Sequence, residues 1–125
     1  MGKIVSIDAM GGDHGLDVTI DGACLALKNQ KELSVILFGD ENLIMERLKN
    51  KIYPIDNVEV IHCSKVVEMD TKPIDAIRRV GKESSMWGCI NAVSEGKADV
   101  AISAGNTGAL MGLSTIILRT IDGIE

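Results

Sequence analysis

Aromatic side chains are nearly absent from this chain: one Trp, one Tyr and one Phe make up 2% of its 125 residues. A core without rings has to be built from Ile, Val, Leu, Ala and Met, which suits parallel strands covered by helices. The same scarcity excludes the stacking platforms that single-stranded nucleic-acid binders use. A formal net charge of −5 speaks against general DNA or RNA affinity, so an acidic partner would need a local basic patch. Cysteine is sparse and odd in number. Cys24, Cys63 and Cys89 are widely spaced with no C-x-x-C, which excludes a disulfide framework and fits small buried hydrophobes in a reducing compartment. A catalytic thiol is the alternative reading of these residues. No apolar run approaches the roughly 20 residues that span a bilayer. The N-terminus enters a strand directly at Lys3-Ile4-Val5, without a signal-peptide run. The expected location is cytoplasmic, or at most peripheral at the inner face of a membrane.

What is present has the size of one domain, residues 1–125, with 25% charged and 46% hydrophobic residues. Four strands are predicted: Lys3–Asp8, Leu33–Gly39, Val58–Cys63 and the short buried run Val100–Ile102. Helical spacing separates them. Asp17 is placed to cap a helix with Ile20, Ala23, Cys24 and Leu27 on its apolar face, and Asp40 a helix with Leu43, Ile44 and Leu48. Pro73 opens a helix with Ile74, Ile77 and Val80 inward, ended by Gly81. Ser84 or Ser85 caps the next helix, with Met86, Ile90 and Val93 inside and Gly96 at its end. Ala109–Ile121 reads as the last helix. This alternation predicts a three-layer α/β/α fold with a mainly parallel sheet and right-handed crossovers.

Two Gly-rich turns stand out. Ser103-Ala104-Gly105-Asn106-Thr107-Gly108 runs from a strand into a helix, where backbone N–H groups and the helix dipole favour a phosphate or an oxyanion. An ordinary capped helix start fits the same pattern. Ala9-Met10-Gly11-Gly12-Asp13-His14-Gly15 follows the first strand, and both turns fall at the carboxyl edge of a parallel sheet, where ligands collect. Neither contains G-x-x-x-x-G-K-[ST] or G-x-G-x-x-G, so P-loop and dinucleotide fingerprints are absent. Asp8, Asp13 and His14 can either hold Mg²⁺ or fix their turn by hydrogen bonds. Lys72, Arg78, Arg79 and Lys82 form either a solvated face or an anion clamp. His62 ends a strand as a partly buried polar residue.

Asp8-Ala9-Met10-Gly11-Gly12-Asp13-His14 and Ile102-Ser103-Ala104-Gly105-Asn106-Thr107-Gly108-Ala109-Leu110-Met111 closely resemble signature segments of the PlsX-type phosphate acyltransferases. Glu68-Met69-Asp70, Pro73, Ala76, Arg78 and Ser84-Ser85-Met86 match that family at corresponding places. The chain differs at His62-Cys63-Ser64-Lys65, where members usually read His-Ala-Pro-Glu, and near Val80-Gly81, where they commonly carry paired lysines. Members are also much longer, so the chain resembles the N-terminal part of such an enzyme. A sheet of this extent is expected to have an unprotected edge or face and to associate with itself or with further chain.

The resemblance implies an isocitrate/isopropylmalate dehydrogenase-like fold. It also implies transfer of a long-chain acyl group from the thioester of acyl carrier protein to inorganic phosphate, giving acyl phosphate for phospholipid synthesis. No cofactor or metal is expected. Acyl carrier protein, phosphate, a second subunit in a homodimer and a membrane surface are the expected partners, and nucleic acid is not. Such chemistry assigns Asn106 and Thr107 to phosphate binding and catalysis, with Ser103, Gly105, Gly108, Ser84, Ser85 and Arg78 assisting. Asp8, Gly11, Gly12 and Asp13 shape the facing wall, and His14 delivers a proton to the leaving thiolate. Arg79 and Lys82, with Arg78, form the dock for the acidic carrier protein. Two alternatives are a non-catalytic fragment that keeps an anion or carrier-protein site, and a phosphotransacetylase-like enzyme using coenzyme A thioesters.

Overall fold

The apolar stretches become four parallel strands, β1 (Lys3–Asp8), β2 (Leu33–Gly39), β3 (Val58–His62) and β4 (Val100–Ile102), in a computed structural model that describes residues 2–11 and 15–118. Their order is β3-β2-β1-β4. Register places Val5 beside Val35 on one side and Val100 on the other, and Val35 beside Val58. β2 is buried on both faces because its side chains alternate between two helical layers. Val35 and Leu37 meet α1 (Gly15–Asn29) and α2 (Glu41–Leu48) through Ile20, Ala23, Leu27, Ile44 and Leu48. Ile36 and Phe38 meet α4 (Ser85–Ser94) through Cys89 and Ala92. The expected α/β/α layering is present, and the sheet is wholly parallel.

This arrangement sets the site. The chain passes from β1 to β2 to β3 over the α1/α2 face, then returns to β4 over the opposite face through α4. Strand order therefore reverses between β1 and β4, and the crevice at their carboxyl ends is a topological switch point.

Local sequence explains most boundaries. The Asp40 carboxylate accepts the Leu43 N–H at 3.1 Å and starts α2, and the Ser84 hydroxyl accepts the Trp87 N–H at 3.0 Å to start α4. His62 Nδ1 accepts the Glu41 N–H at 3.1 Å, which ties the end of β3 to the start of α2. Gly81 and Gly96 have φ of 58° and 76°, conformations that stop the preceding helical segments.

Several boundaries differ from expectation. α1 begins at Gly15, so Asp17 lies in its first turn and pairs with Arg47 on α2 rather than capping. A helical turn, α3 (Pro73–Asp75), runs into a π turn over Ala76–Val80, closed by the Gly81 N–H to the Ala76 carbonyl. That wider turn changes the angular step, so Ala76 is buried while Ile74, expected inward, is 51% exposed. β4 was expected to be buried, yet Val100 and Ile102 are each 52% exposed. As the end strand of the described sheet, it leaves one face of those side chains uncovered. β3 stops at His62, one residue short of Cys63. The last helix, α5 (Thr107–Leu118), starts two residues before Ala109 and packs with α4 and the 73–80 segment around Met86, Ile90, Ala109 and Leu113. The expected continuation to Ile121 lies outside the described residues.

Candidate active site

The two Gly-rich turns meet at the switch point. Asp8, at the end of β1 and 3% exposed, holds its own turn by accepting the Met10 N–H through Oδ1 at 3.2 Å. Its Oδ2 accepts the Ser103 hydroxyl at 2.9 Å, and Ser103 Oγ in turn accepts the Gly105 N–H at 3.1 Å. A single chain of hydrogen bonds thus fixes both turns to each other. Gly11 and Gly105 make this possible. A Cβ on Gly11 would stand 2.9 Å from both Asp8 Oδ2 and the Gly105 nitrogen, and one on Gly105 would stand 3.0 Å from Met86 Cε. At Gly11 the obstacle is the Gly105 backbone, so a side chain there would spread the turns, whereas at Gly105 it is the flexible end of Met86.

Asn106 is 8% exposed, and its side chain is fully committed to the fold. Its Nδ2 donates to the carbonyls of Glu68 (3.0 Å) and Thr71, and its Oδ1 accepts the Ala109 N–H at 3.1 Å. Asn106 therefore caps α5 and clamps the 68–73 loop onto the turn, where Pro73 Cγ would lie 3.1 Å from a Cβ on Gly108. Its role at the turn is positioning. The N–H groups of Thr107 and Gly108, in the first turn of α5, have no acceptor among the described residues and lie at the positive end of the helix dipole. Thr107 and Gly108 are exposed, so an anion can reach them.

The other expected contacts are placed differently. Ser84 and Ser85 are fully buried; Ser84 is occupied as the α4 cap, and the Ser85 hydroxyl has no partner among the described residues. Arg78, Arg79 and Lys82 are exposed on the neighbouring π turn and the segment after it. Arg79 pairs with Asp75 at 3.6 Å, while Arg78 makes no ion pair among the described residues. No hydrogen bond joins Arg78, Ser84 or Ser85 to the Asp8–Ser103 chain among the described residues. Gly12, Asp13 and His14 lie outside the described residues. No cluster of three metal-ligating side chains exists among the described residues.

Beneath the crevice lies a polar pair that sequence reading missed. The Ser6 hydroxyl donates to the Cys89 carbonyl at 2.6 Å, and Cys89 Sγ sits 3.4 Å from the carbonyls of Ser6 and Ile102. Burial pushes the Cys89 thiol up to about 11, and burial with the nearby Asp8 charge does the same to Cys63. Burial also raises Cys24. Thiols held protonated in this way are packing groups rather than nucleophiles. The alternation of Ser6 among apolar strand residues was the available signal for a buried polar contact.

The sequence model of the family described as "Fatty acid synthesis protein" matches residues 3–125. The chain is 49% identical over 122 residues to a phosphate acyltransferase of Azorhizobium caulinodans, covering 96% of this chain and 34% of that protein. It is 46% identical over 126 residues to a phosphate acyltransferase of Polynucleobacter asymbioticus, covering 100% of this chain and 37% of that protein. A phosphate acyltransferase of Neisseria meningitidis is 44% identical over 121 residues, again with 34% of its length covered. The chain spans about a third of the length of the relatives it matches. With nearly every residue matched, and with both glycine turns inside the match, this chain belongs to the fatty acid synthesis protein family of PlsX-type phosphate acyltransferases.

Proposed function

We propose that this chain carries the phosphate-binding part of an acyltransferase that moves a fatty acyl group from the thioester of acyl carrier protein to inorganic phosphate. The observation that carries this reading is the junction of the two glycine turns, pinned by Asp8 and Ser103, with the unpaired N–H groups of Thr107 and Gly108 exposed beside it. Phosphate is already substantially dianionic near neutral pH and needs placement more than deprotonation. The turn amides and the α5 dipole place it, and the Thr107 hydroxyl adds a donor. As phosphate attacks, the thioester carbonyl oxygen gains charge, and N–H donors aimed at that oxygen lower the barrier. The thiolate leaves carrying the electron pair of the broken C–S bond; His14 is assigned its protonation, and Gly12 and Asp13 complete the wall.

Arg78, Arg79 and Lys82 form the exposed basic surface beside the site, and an acidic carrier protein docks there. Arg78 reaches the incoming anion when the carrier is bound. The buried Ser84 and Ser85 act from beneath, holding the start of α4. Assembly as a homodimer and contact with a membrane surface belong to the same reading, while no helix among the described residues is long and apolar enough to cross a membrane.

The test is twofold. Titrating inorganic phosphate into the chain should shift the amide resonances of Thr107 and Gly108, and Ser103→Ala should weaken that binding about tenfold by freeing the turn. A folded chain with no shift at those amides overturns the site. Acyl-phosphate formation is then measured with a long-chain acyl carrier protein and with short coenzyme A thioesters. Turnover with the first supports the proposal, turnover only with the second makes the site phosphotransacetylase-like, and phosphate binding with neither makes it a binding module.

A further inference from the structure

The two end strands of the described sheet are built differently. β3 carries the Glu59 charge at its second residue and the His62 imidazole at its end, and both side chains are exposed. Polar groups of this kind discourage further pairing, so β3 is an edge made to face water. β4 is Val100-Ala101-Ile102, without a charge, and its two large side chains are half-exposed. They lie on the α1 face, in register with Val5 and Ile7. α4 covers the opposite face of β4. A parallel strand is ordinarily covered on both faces, and here one cover is missing.

The helices beside β4 follow the same division. α1 turns Asp17 and Asp21 to Arg47 and Lys51 of α2. Its other flank, through Gly22 and Ala26, is small and uncharged and borders an open cleft of about 270 Å³ next to β4. α5 lies on the α4 side of the sheet, and its twelve residues include no charged side chain. It rests on α4 and the 73–80 segment, yet Met111, Ile116 and Leu118 are exposed. The short α2, in contrast, carries Glu41, Glu46 and Arg47. A helix that is apolar on every side is one that other chain surrounds.

We propose that the outer edge of β4, flanked by the α1 cleft and the outer side of α5, docks further polypeptide of this family, which pairs a parallel strand with β4. β3 stays the outer strand of the completed sheet. The matched part takes 34% and 37% of the length of two relatives, so the family supplies the polypeptide that such a surface needs. Every pairing in the sheet is parallel, whereas a second copy related by a two-fold axis would meet β4 antiparallel. The surface also reaches the glycine turns, because Ser103 follows Ile102 and Asp8 and Ala104 line the cleft. Docking there holds the end of β4 and the turn after it, whatever anion that turn binds.

The test joins this chain, in place of the matched segment, to the remainder of the Azorhizobium caulinodans relative. Amide exchange in Val100–Ile102 should slow at least about tenfold in the joined protein compared with this chain alone, and exchange at Val60 and Ile61 should not change. Val100→Lys should lower the urea midpoint of the joined protein and leave that of this chain alone unchanged, since the side chain is half-exposed there. Glu59→Lys should alter neither midpoint. A joined protein whose added part folds while β4 exchanges as before overturns the proposal, as does slowing at β3 in place of β4. So does a joined protein that does not melt cooperatively, because the surface then rejects its partner. Self-association of this chain alone that slows the same β4 amides would make the occupant a second copy and also overturn it.

Discussion

Asn106 shows how a side chain in an anion-binding turn can be occupied by the fold that makes the turn. Replacing it with Ala removes the α5 cap and strands two loop carbonyls and the Ala109 N–H in a nearly closed site. The expected loss is about 2–4 kcal/mol of stability, read from urea unfolding. In an active full-length relative the same change should cost about 10²-fold or more in rate, because displaced turn amides no longer meet developing charge. A stable variant losing less than threefold would refute the positioning role. Cys89 makes a different demand. Its folded value of about 11 stands above its ordinary 9.0, so the unfolded chain loses the proton first as pH rises. Above the ordinary value the native state binds more protons than the unfolded state, and stability falls with pH. The stabilisation is fully present below pH 9 and is lost between about 9 and 11, by about 2–3 kcal/mol. Urea melts across that window should show the decline, and Cys89→Ala should make it shallower while the raised Cys63 thiol sustains the rest; an equal slope in both would assign the decline elsewhere.

Among the elements, two glycines separate the packing of layers from the spacing of the site. At Gly88 a Cβ would stand 2.6 Å from the Phe38 ring, so α4 rests directly on β2 there. Gly88→Ala should cost about 1–3 kcal/mol through overpacking and leave phosphate affinity unchanged in the folded fraction. Gly11→Ala presses on the Gly105 backbone, which has no free end to swing aside. It should weaken phosphate binding at least about tenfold, and unchanged affinity would show that the spacing of the turns is irrelevant. Sequence made many of these elements legible. Asp40, and Ser84 or Ser85, read as caps because a short polar side chain before an apolar helical period has one obvious partner, the orphan N–H of the first turn, and the structure selects Ser84. The π turn at Ala76–Val80 was not legible, since one extra residue in a turn leaves the local composition unchanged. Nor was the true start of α1, because Asp17 suits a first turn as well as a cap.

At the scale of the whole molecule, the order β3-β2-β1-β4 decides what the sequence could reveal about the site. Both glycine turns were visible as motifs, and parallel strands were enough to put them at one edge. Their direct contact was not, because it depends on β4 returning beside β1 rather than beside β3. The exposure of Val100 and Ile102 was hidden for the same reason: an apolar triplet reads as buried whether or not a helix covers it. The same topology predicts an uneven stability. β2 lies between two strands and two helical layers, with Val35–Phe38 at 6% exposure or less. The 64–83 segment hangs on the sheet through fewer ties, chiefly Lys65 with Ser85, the Asn106 clamp and the Val67 and Ala76 side chains. Native-state amide exchange should therefore be slowest in β1 and β2, approaching the global unfolding free energy there, and faster throughout 64–83. If phosphate is bound at the α5 turn, the loop clamped by Asn106 must be ordered in the bound state. Added phosphate should then slow exchange in residues 68–73 more than in β2. Equal protection of the loop and β2 without phosphate would mean that the loop folds with the core, and that binding at the turn does not depend on ordering it.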